Sequence, residues 1–513
     1  MKSIFFKLFL TVLIFNLTGC VNFLEEEVES YYNNQQVFSS NEGIEAAVNG
    51  LYAKFADPAY YGTAMHTFIN PISGRFYSNQ TASVDANSLN CTPTNTWLTR
   101  MWPAMYSAVN TANVIIDGVQ NNGMELEKEN WALGHAYLIR GATYFDLVRL
   151  FGAVPMRLEP TTVDNLDKAK STLDEIYAQI IADFEMAADL LPETEATASG
   201  KPLKWAANMY LAKVYMTRAG EAGGNPAYWQ NAWDEAIKVY GKYSMTASYS
   251  TLFTEGTENT TEAIFELQYA HQGAERNSDR PRTYTPQNST FVGNGITVFG
   301  RVRSNKEVFD AHRTQYPNDP RINATFVHTS YVKATGGNQN IYPTVTTGTN
   351  SFAFIRKWFD ASYTGSTTNR NHIILRYADL LLMLAEIENE LHGPDNAYQY
   401  VNQVLLRARN SVTPAAIQPA DWSGMDQTTF RNRIMRERQY ELLAEGQDWF
   451  DTRRRGYQFL LDDVLNRHNN HIPFATGYDF VYPIGTKNML LPIPSDELNA
   501  NHALSVNDQN PGY

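Results

Sequence analysis

The chain has 513 residues, with 41 Lys and Arg against 54 Asp and Glu and a formal charge of −13. A surface this acidic gives no reason to seek nucleic-acid phosphates, whose binding rests on Lys and Arg. Its two cysteines, Cys20 and Cys91, allow at most one disulfide, so a packed core must carry the fold.

The chain opens with Lys2 and Lys7, an apolar run over 8–15, and Leu17-Thr18-Gly19-Cys20. The apolar run is too short to span a bilayer. It reads as a secretory signal over 1–19 and resembles a bacterial lipoprotein signal. That resemblance implies a thiol acylated with diacylglycerol and makes Cys20 the lipidation site and first mature residue. The alternatives are an ordinary cleaved signal with an incidental Cys, or a buried N-terminal helix. Acylation at Cys20 would leave Cys91 with no disulfide partner. Residues 20–39 read as a tether and contain Glu25, Glu26 and Glu27, a charge run whose simplest role is a solvated spacer.

One folded domain is expected over 40–513. Residues 40–56 read as a first helix, with Ile44, Ala47, Val48, Leu51 and Phe55 at helical spacing and Ser40 or Asn41 as N-cap. Residues 57–96 show no sustained period and read as a long structured loop. Helical pattern then dominates to about residue 242. Trp102, Tyr106, Val109, Asn113 and Ile116 mark one face. Helices over 131–150, 173–191, 205–219 and 233–240 follow, the first ended by Gly152 and Pro155 and the second by Pro192. Small residues alternate with bulky ones in these pairs, as at Ala206, Ala207, Tyr210, Leu211 and Ala212, in the manner of degenerate tetratricopeptide hairpins. Over 243–372 the composition turns to Gly, Thr, Ser, Asn and Tyr. A strand is expected over 263–269, and long loops over 271–304 and 329–351. This part reads as an insertion, because helical pattern resumes over 376–391, 397–409 and 427–446. The tail to Tyr513 is extended. The fold class is therefore mostly α, a helix-pair scaffold with long irregular loop insertions.

No motif for catalysis stands out. There is no HExxH, no phosphate-binding loop and no nucleophile-elbow serine, and the ten histidines are dispersed. No loop has the regularly spaced acids of a calcium site. A glycoside hydrolase could place its two carboxylates anywhere in such a chain, so a cryptic hydrolase is one reading. Abundant Tyr (30) and Trp (9) beside many amides and hydroxyls suit a partly wet, sugar-binding surface.

Three stretches carry a resemblance. One runs over 140–155, from Arg140-Gly141-Ala142-Thr143-Tyr144-Phe145 to Gly152-Ala153-Val154-Pro155. The second is Leu375-Arg376-Tyr377-Ala378-Asp379-Leu380 through Glu386. The third runs over 436–454, including Arg436-Glu437-Arg438 and Glu445-Gly446-Gln447-Asp448-Trp449-Phe450. With Leu491-Pro492-Ile493-Pro494 and the ending Asn510-Pro511-Gly512-Tyr513, they resemble the SusD/RagB family of Bacteroidetes outer-membrane lipoproteins. The resemblance spans nearly the whole mature chain. It implies a tetratricopeptide-like scaffold and no enzymatic activity; a calcium ion is possible in that family, but without regularly spaced acids no metal and no cofactor are expected here. It also implies capture of oligosaccharides at the cell surface as a lid on a TonB-dependent transporter, anchored in the outer membrane by lipid. A peptide- or protein-binding lipoprotein of the same uptake type is the alternative. In that family an acidic cluster after the acylated Cys resembles a surface-export signal, which would give Glu25, Glu26 and Glu27 a role as an address.

The motif residues Arg140, Arg376, Glu386, Glu437, Arg438 and Glu445 are expected to be scaffold, paired at i, i+3 and i+4. The resemblance places the ligand face on the loop before the second helix and on loops of the insertion. The first offers Tyr60, Tyr61, Arg75, Phe76, Tyr77, Asn79, Asn95 and Trp97, and the second Arg280, Arg282, Tyr284, Phe291, Tyr331 and Tyr342. Trp97, Asn95, Tyr77, Arg75, Tyr284 and Tyr342 are the preferred ligand contacts, with Trp97 as aromatic platform. Trp102 reads as core and Trp358 as structural.

Overall fold

The computed structural model describes residues 34–79, 84–123, 126–194, 200–221, 223–271, 278–471 and 478–513. The signal, Cys20 and the acidic run Glu25, Glu26 and Glu27 lie outside them.

The scaffold starts where its capping chemistry says. Ser40 accepts the Gly43 amide at 3.1 Å and opens helix α1 (Asn41–Phe55). Asn95 accepts the amides of Trp97 and Leu98 at 2.9 and 3.2 Å and opens α2 (Thr96–Gln120). α3 (Glu129–Phe151) is buried nearly all round and stops at Gly152, whose φ of 72° suits a residue without a Cβ. A reciprocal Thr172–Glu175 box begins α4 (Leu173–Leu190). α5 (Lys204–Gly220) and α6 (Tyr228–Val239) follow. After the insertion come α7 (Tyr377–His392), α8 (Pro394–Asn410) and α9 (Gln427–Leu442). Each helix from α1 to α7 packs on the next, and α7 lies on both α6 and α9. The segment between α6 and α7 therefore leaves and rejoins one continuous helical stack.

Among the described residues eight short strands flank that stack: β1 (Phe76–Ser78), β2 (Ala263–Leu267), β3 (Val302–Ser304), β4 (Phe326–Val327), β5 (Ser330–Val332), β6 (Asn338–Asn340), β7 (Ala353–Ile355) and β8 (His372–Arg376). β1, β3, β7 and β4 form an antiparallel sheet in that order, with Phe76 opposite Ser304 and Val327 opposite Phe354. β2 pairs with β8, and β5 with β6. A second core of Phe76, Tyr284, Phe309, Phe326, Ile355 and Trp358 fills this part. The expected loops over 271–304 and 329–351 thus contain the short helix Arg280–Tyr284, β3 and the β5–β6 hairpin.

Residues 57–75 differ most from the sequence reading. They form three wide helical turns, Pro58–Gly62, Met65–Ile69 and Pro71–Arg75, and are almost wholly buried. The Tyr60 and Tyr61 hydroxyls donate to the Asp146 carboxylate on α3 at 2.6 and 2.8 Å. Gly74 (φ 86°) turns the chain into β1, where a Cβ would stand 2.5 Å from Val464 Cγ1.

Arg149 with Asp146 and Arg454 with Asp451 pair at i, i+3, but the motif charges expected to be scaffold pair between elements. Arg140 on α3 meets Asp183 on α4 at 2.7 Å, and Arg454 meets Glu386 on α7 at 2.6 Å. Arg438 on α9 meets Asp379 on α7 at 2.8 Å. Arg376, at the end of β8, donates to Glu262 at 2.9 Å, to Glu441 at 2.7 Å and to Glu445 at 2.6 Å. Arg321 reaches Glu437 at 2.6 Å and Glu441 at 3.0 Å, and Lys357 reaches Glu445 at 2.6 Å. Arg407 on α8 also pairs with Glu441. Burial alone would raise the Glu441 carboxyl, but Arg407, Arg376 and Arg321 outweigh it and hold it down at about 2.

Asp448 shows the opposite balance. Burial pushes its carboxyl up to about 7, against the Ala444 amide it accepts at 3.0 Å and the charge of Arg75. Between about pH 4 and 7 the folded chain keeps this proton while the unfolded chain has lost it, so this group's contribution to stability falls as pH rises. Asp448→Asn keeps the acceptor and removes the titration. Its melting temperature relative to wild type is expected to climb from pH 4 to 7 and then level, as measured by thermal melts across that range.

Candidate functional site

The preferred sequence candidates are internal. Arg75 is ion-paired with Asp463 and donates to its backbone carbonyl at 2.9 Å. Tyr77 stacks on Phe352 at 4.1 Å and 7°. Asn95 is the α2 cap, and its amide donates to Asp85 at 2.7 Å. Trp97 lies in the first turn of α2, only 9% exposed and packed in the main core. Tyr284 is wholly buried and its hydroxyl accepts from Asn70 at 2.7 Å, while the Tyr342 hydroxyl is bonded to Asp310. These six rings, amides and guanidinium hold the fold together and do not line a common cleft. Trp97 is packed in the helical core, whereas Tyr284 and Tyr342 belong to the second core within the insertion. Trp102 (3% exposed) and Trp358, whose indole donates to the Ala444 carbonyl at 3.1 Å, are internal as expected. Cys91 is buried, and that burial pushes its thiol up.

A cleft of 460 Å³ opens instead between loops of the insertion and the end of α8. Its floor is Tyr249, whose amide donates to Ser411 at 2.9 Å and whose hydroxyl donates to the Glu441 carbonyl at 2.7 Å. Its wall is held by Arg370. That buried guanidinium donates to the carbonyls of Phe253 at 2.6 Å, Lys357 at 3.3 Å and Phe359 at 3.4 Å. Two backbone segments, one at Phe253 and one at Lys357 and Phe359, are thereby fixed around one side chain. Lys357 stands 4.8 Å from the Phe253 ring on the inner side, tying the wall to the charged network.

The working surface is mixed. Phe253, Phe291 and Phe359 are half-buried, with Phe291 and Phe359 4.8 Å apart. Arg356 is exposed, 5.9 Å from the Phe291 ring. Ser250, Thr254 and Asn323 add exposed hydroxyl and amide groups. The Asn323 carbonyl is engaged by His328 at 3.0 Å, which orients its amide. Partly exposed rings beside fixed donors can take the C–H face and the hydroxyls of a sugar. The cleft lining includes one carboxylate, Glu255, whereas glycoside hydrolysis commonly uses a pair. No trio of His, Cys, Asp or Glu suited to a metal occurs among the described residues.

Phe291 was named from sequence; Phe253, Phe359, Asn323 and Arg370 were not. They lie in separate stretches, and nothing local marks them as neighbours.

Comparison with known proteins agrees with this architecture. Residues 261–513 match the SusD family, and residues 22–216 match a family described as starch-binding and associating with the outer membrane. SusD-like protein P2 of Formosa agariphila is 27% identical over 537 residues, covering 99% of both chains. A SusD homolog from Bacteroides thetaiotaomicron superposes with a TM-score of 0.80 at 22% identity, over 94% of this chain and 99% of its own. A structure solved with a xylogluco-oligosaccharide gives 0.73 at 22% identity, covering 90% and 98%. A laminarin-binding SusD-like protein gives 0.68 at 20% identity, covering 92% and 100%.

Proposed function

The chain belongs to the SusD/RagB family, and we propose that it captures oligosaccharides at the cell surface and passes them to a TonB-dependent outer-membrane transporter, on which it sits as a lid. The observation that carries this reading is the cleft: three partly exposed phenylalanine rings are flanked by Arg356, Asn323 and two hydroxyls on a rigidly held wall. Aromatic platforms beside amides favour a sugar over a peptide, whose carboxylate would call for paired cations in the groove. The fold relatives solved with a xylogluco-oligosaccharide and described as laminarin-binding support the same class of ligand. Among the described residues no helix is long and apolar enough to cross a membrane. A lipid on Cys20, followed by a tether that ends before the helix Asn34–Val37 and the buried Phe38, supplies the attachment in this reading.

The test has two arms. The purified chain is expected to bind at least one member of an oligosaccharide panel without releasing reducing sugar. From detergent-solubilised outer membranes it is expected to co-purify with a β-barrel. Cleavage of a bound glycan would make it a hydrolase; recovery in the inner-membrane fraction without a barrel would remove the lid role.

A further inference from the structure

Several buried arginines meet carboxylates: Arg321, Arg376, Arg407, Arg438 and Arg454 each have one or more. In the insertion, Arg280, Arg282, Arg301 and Arg303 have no ion-pair partner among the described residues. All four come from two segments bound side by side, Phe299 donating to the Arg282 carbonyl at 2.8 Å and Arg301 to that of Thr283 at 2.6 Å. Two of them are settled internally. Arg280 donates to Ser278 at 2.9 Å and to the Arg370 carbonyl at 3.1 Å, and Arg303 to the Gly300 carbonyl at 2.8 Å.

Arg282 and Arg301 are not settled. Both are partly exposed, and both guanidiniums lie over one ring, Phe299, at 4.6 and 4.0 Å. Neither makes a side-chain hydrogen bond among the described residues, and Arg282 Nε is shielded from solvent with no acceptor. The ring offsets part of the cost of holding two like charges together. Burial and the charge of Arg282 both pull the Arg301 pKa down, with Asp279 opposing, so the pair is destabilised as it stands. Asp279 itself accepts from the Tyr363 hydroxyl at 3.1 Å.

We propose that Arg282 and Arg301 form an anion subsite, so that the glycan taken by this chain carries carboxylate or sulfate groups. The inference rests on the glycan-capture reading and narrows it to acidic glycans. A planar guanidinium fork matches the two oxygens of a uronate carboxylate or the oxygens of a sulfate ester, and a pair of forks can hold one such group from two sides. Internal packing through the buried Phe354 ties the subsite to the wall of the cleft. From Phe359 and Phe291 the rings step to Tyr331 at 6.5 Å and to Phe354 at 5.8 Å. Phe354 packs against Gly300, the residue between Phe299 and Arg301.

The experiment measures calorimetric affinities of the full mature chain for an oligogalacturonate, a sulfated galactan oligosaccharide, maltoheptaose and a xylogluco-oligosaccharide, at low and high NaCl. At least one acidic probe is expected to bind, more weakly as salt rises. Arg301→Gln and the Arg282→Gln, Arg301→Gln double variant are expected to lose about tenfold or more of that affinity. Preference for the galacturonate identifies a carboxylate ligand, and for the galactan a sulfate. If Arg282→Gln fails to fold, as thermal melts would show, Arg301→Gln and the salt dependence decide alone. Binding of a neutral probe with no acidic one overturns this inference and leaves glycan capture standing. Acidic binding indifferent to both variants and to salt also overturns it. A chain that binds no glycan of a wider panel overturns both.

Discussion

Arg376→Leu is expected to lower the free energy of unfolding by about 3–5 kcal/mol, the largest stability loss of any single change considered. The guanidinium is buried where β8 meets α7 and joins Glu262, just before β2, to Glu441 and Glu445 near the end of α9. Its removal leaves three carboxylates facing each other in a low dielectric. Arg407 and Arg321 still reach Glu441, and Lys357 still reaches Glu445, so part of the charge remains compensated. A surface pair such as Arg218 with Asp174, whose carboxylate is largely exposed, contributes at most about 1 kcal/mol by comparison. Urea unfolding at neutral pH reads the difference directly. An Arg376→Leu protein as stable as wild type would mean that these charges are mutually compensated without it. The same network backs the cleft through Lys357 and Tyr249, so a destabilised variant should also bind glycan more weakly at temperatures where the wild type is intact.

Phe291→Ala is expected to reduce oligosaccharide affinity on the order of tenfold to a hundredfold, the change that follows from losing one aromatic face covered by ligand. Phe291 is half-buried, stands beside Phe359 and is approached by the exposed Arg356. It lies outside the two larger cores, so its truncation should leave the melting temperature close to that of wild type. Titration of any panel ligand that binds the wild type reads the effect. Unchanged affinity in a folded Phe291→Ala protein would move the ligand away from this cleft. In contrast, Trp97→Ala should cost stability first, because that ring is packed within the helical core.

Much of the scaffold could be read from local pattern. Ser40, Thr172 and Gly152 mark helix ends through chemistry confined to a few residues. The apolar spacing of 40–56 and 173–191 gives helices whose observed bounds differ by only a residue or two. The segment 57–96 was less legible. It lacks a period because its wide turns are buried on several sides at once, and no single face shows in the sequence.

The sequence by itself determined the helical stack, its resemblance to one family, and the scaffold role of Arg376, Glu437 and Glu445. Periodicity and capping depend on residues within a turn of one another, and the family motifs are contiguous. Only the tertiary structure decided which carboxylate each arginine meets, since Arg321 reaches Glu437 and Arg376 reaches Glu262 across more than a hundred positions. It also decided which aromatics are available to a ligand. Tyr77, Trp97 and Tyr284 are as aromatic as Phe253, Phe291 and Phe359, but the first three are enclosed by partners distant in the chain and the last three are left open along one cleft. Exposure belongs to the packed whole, and burial of a ring is set by what comes to cover it.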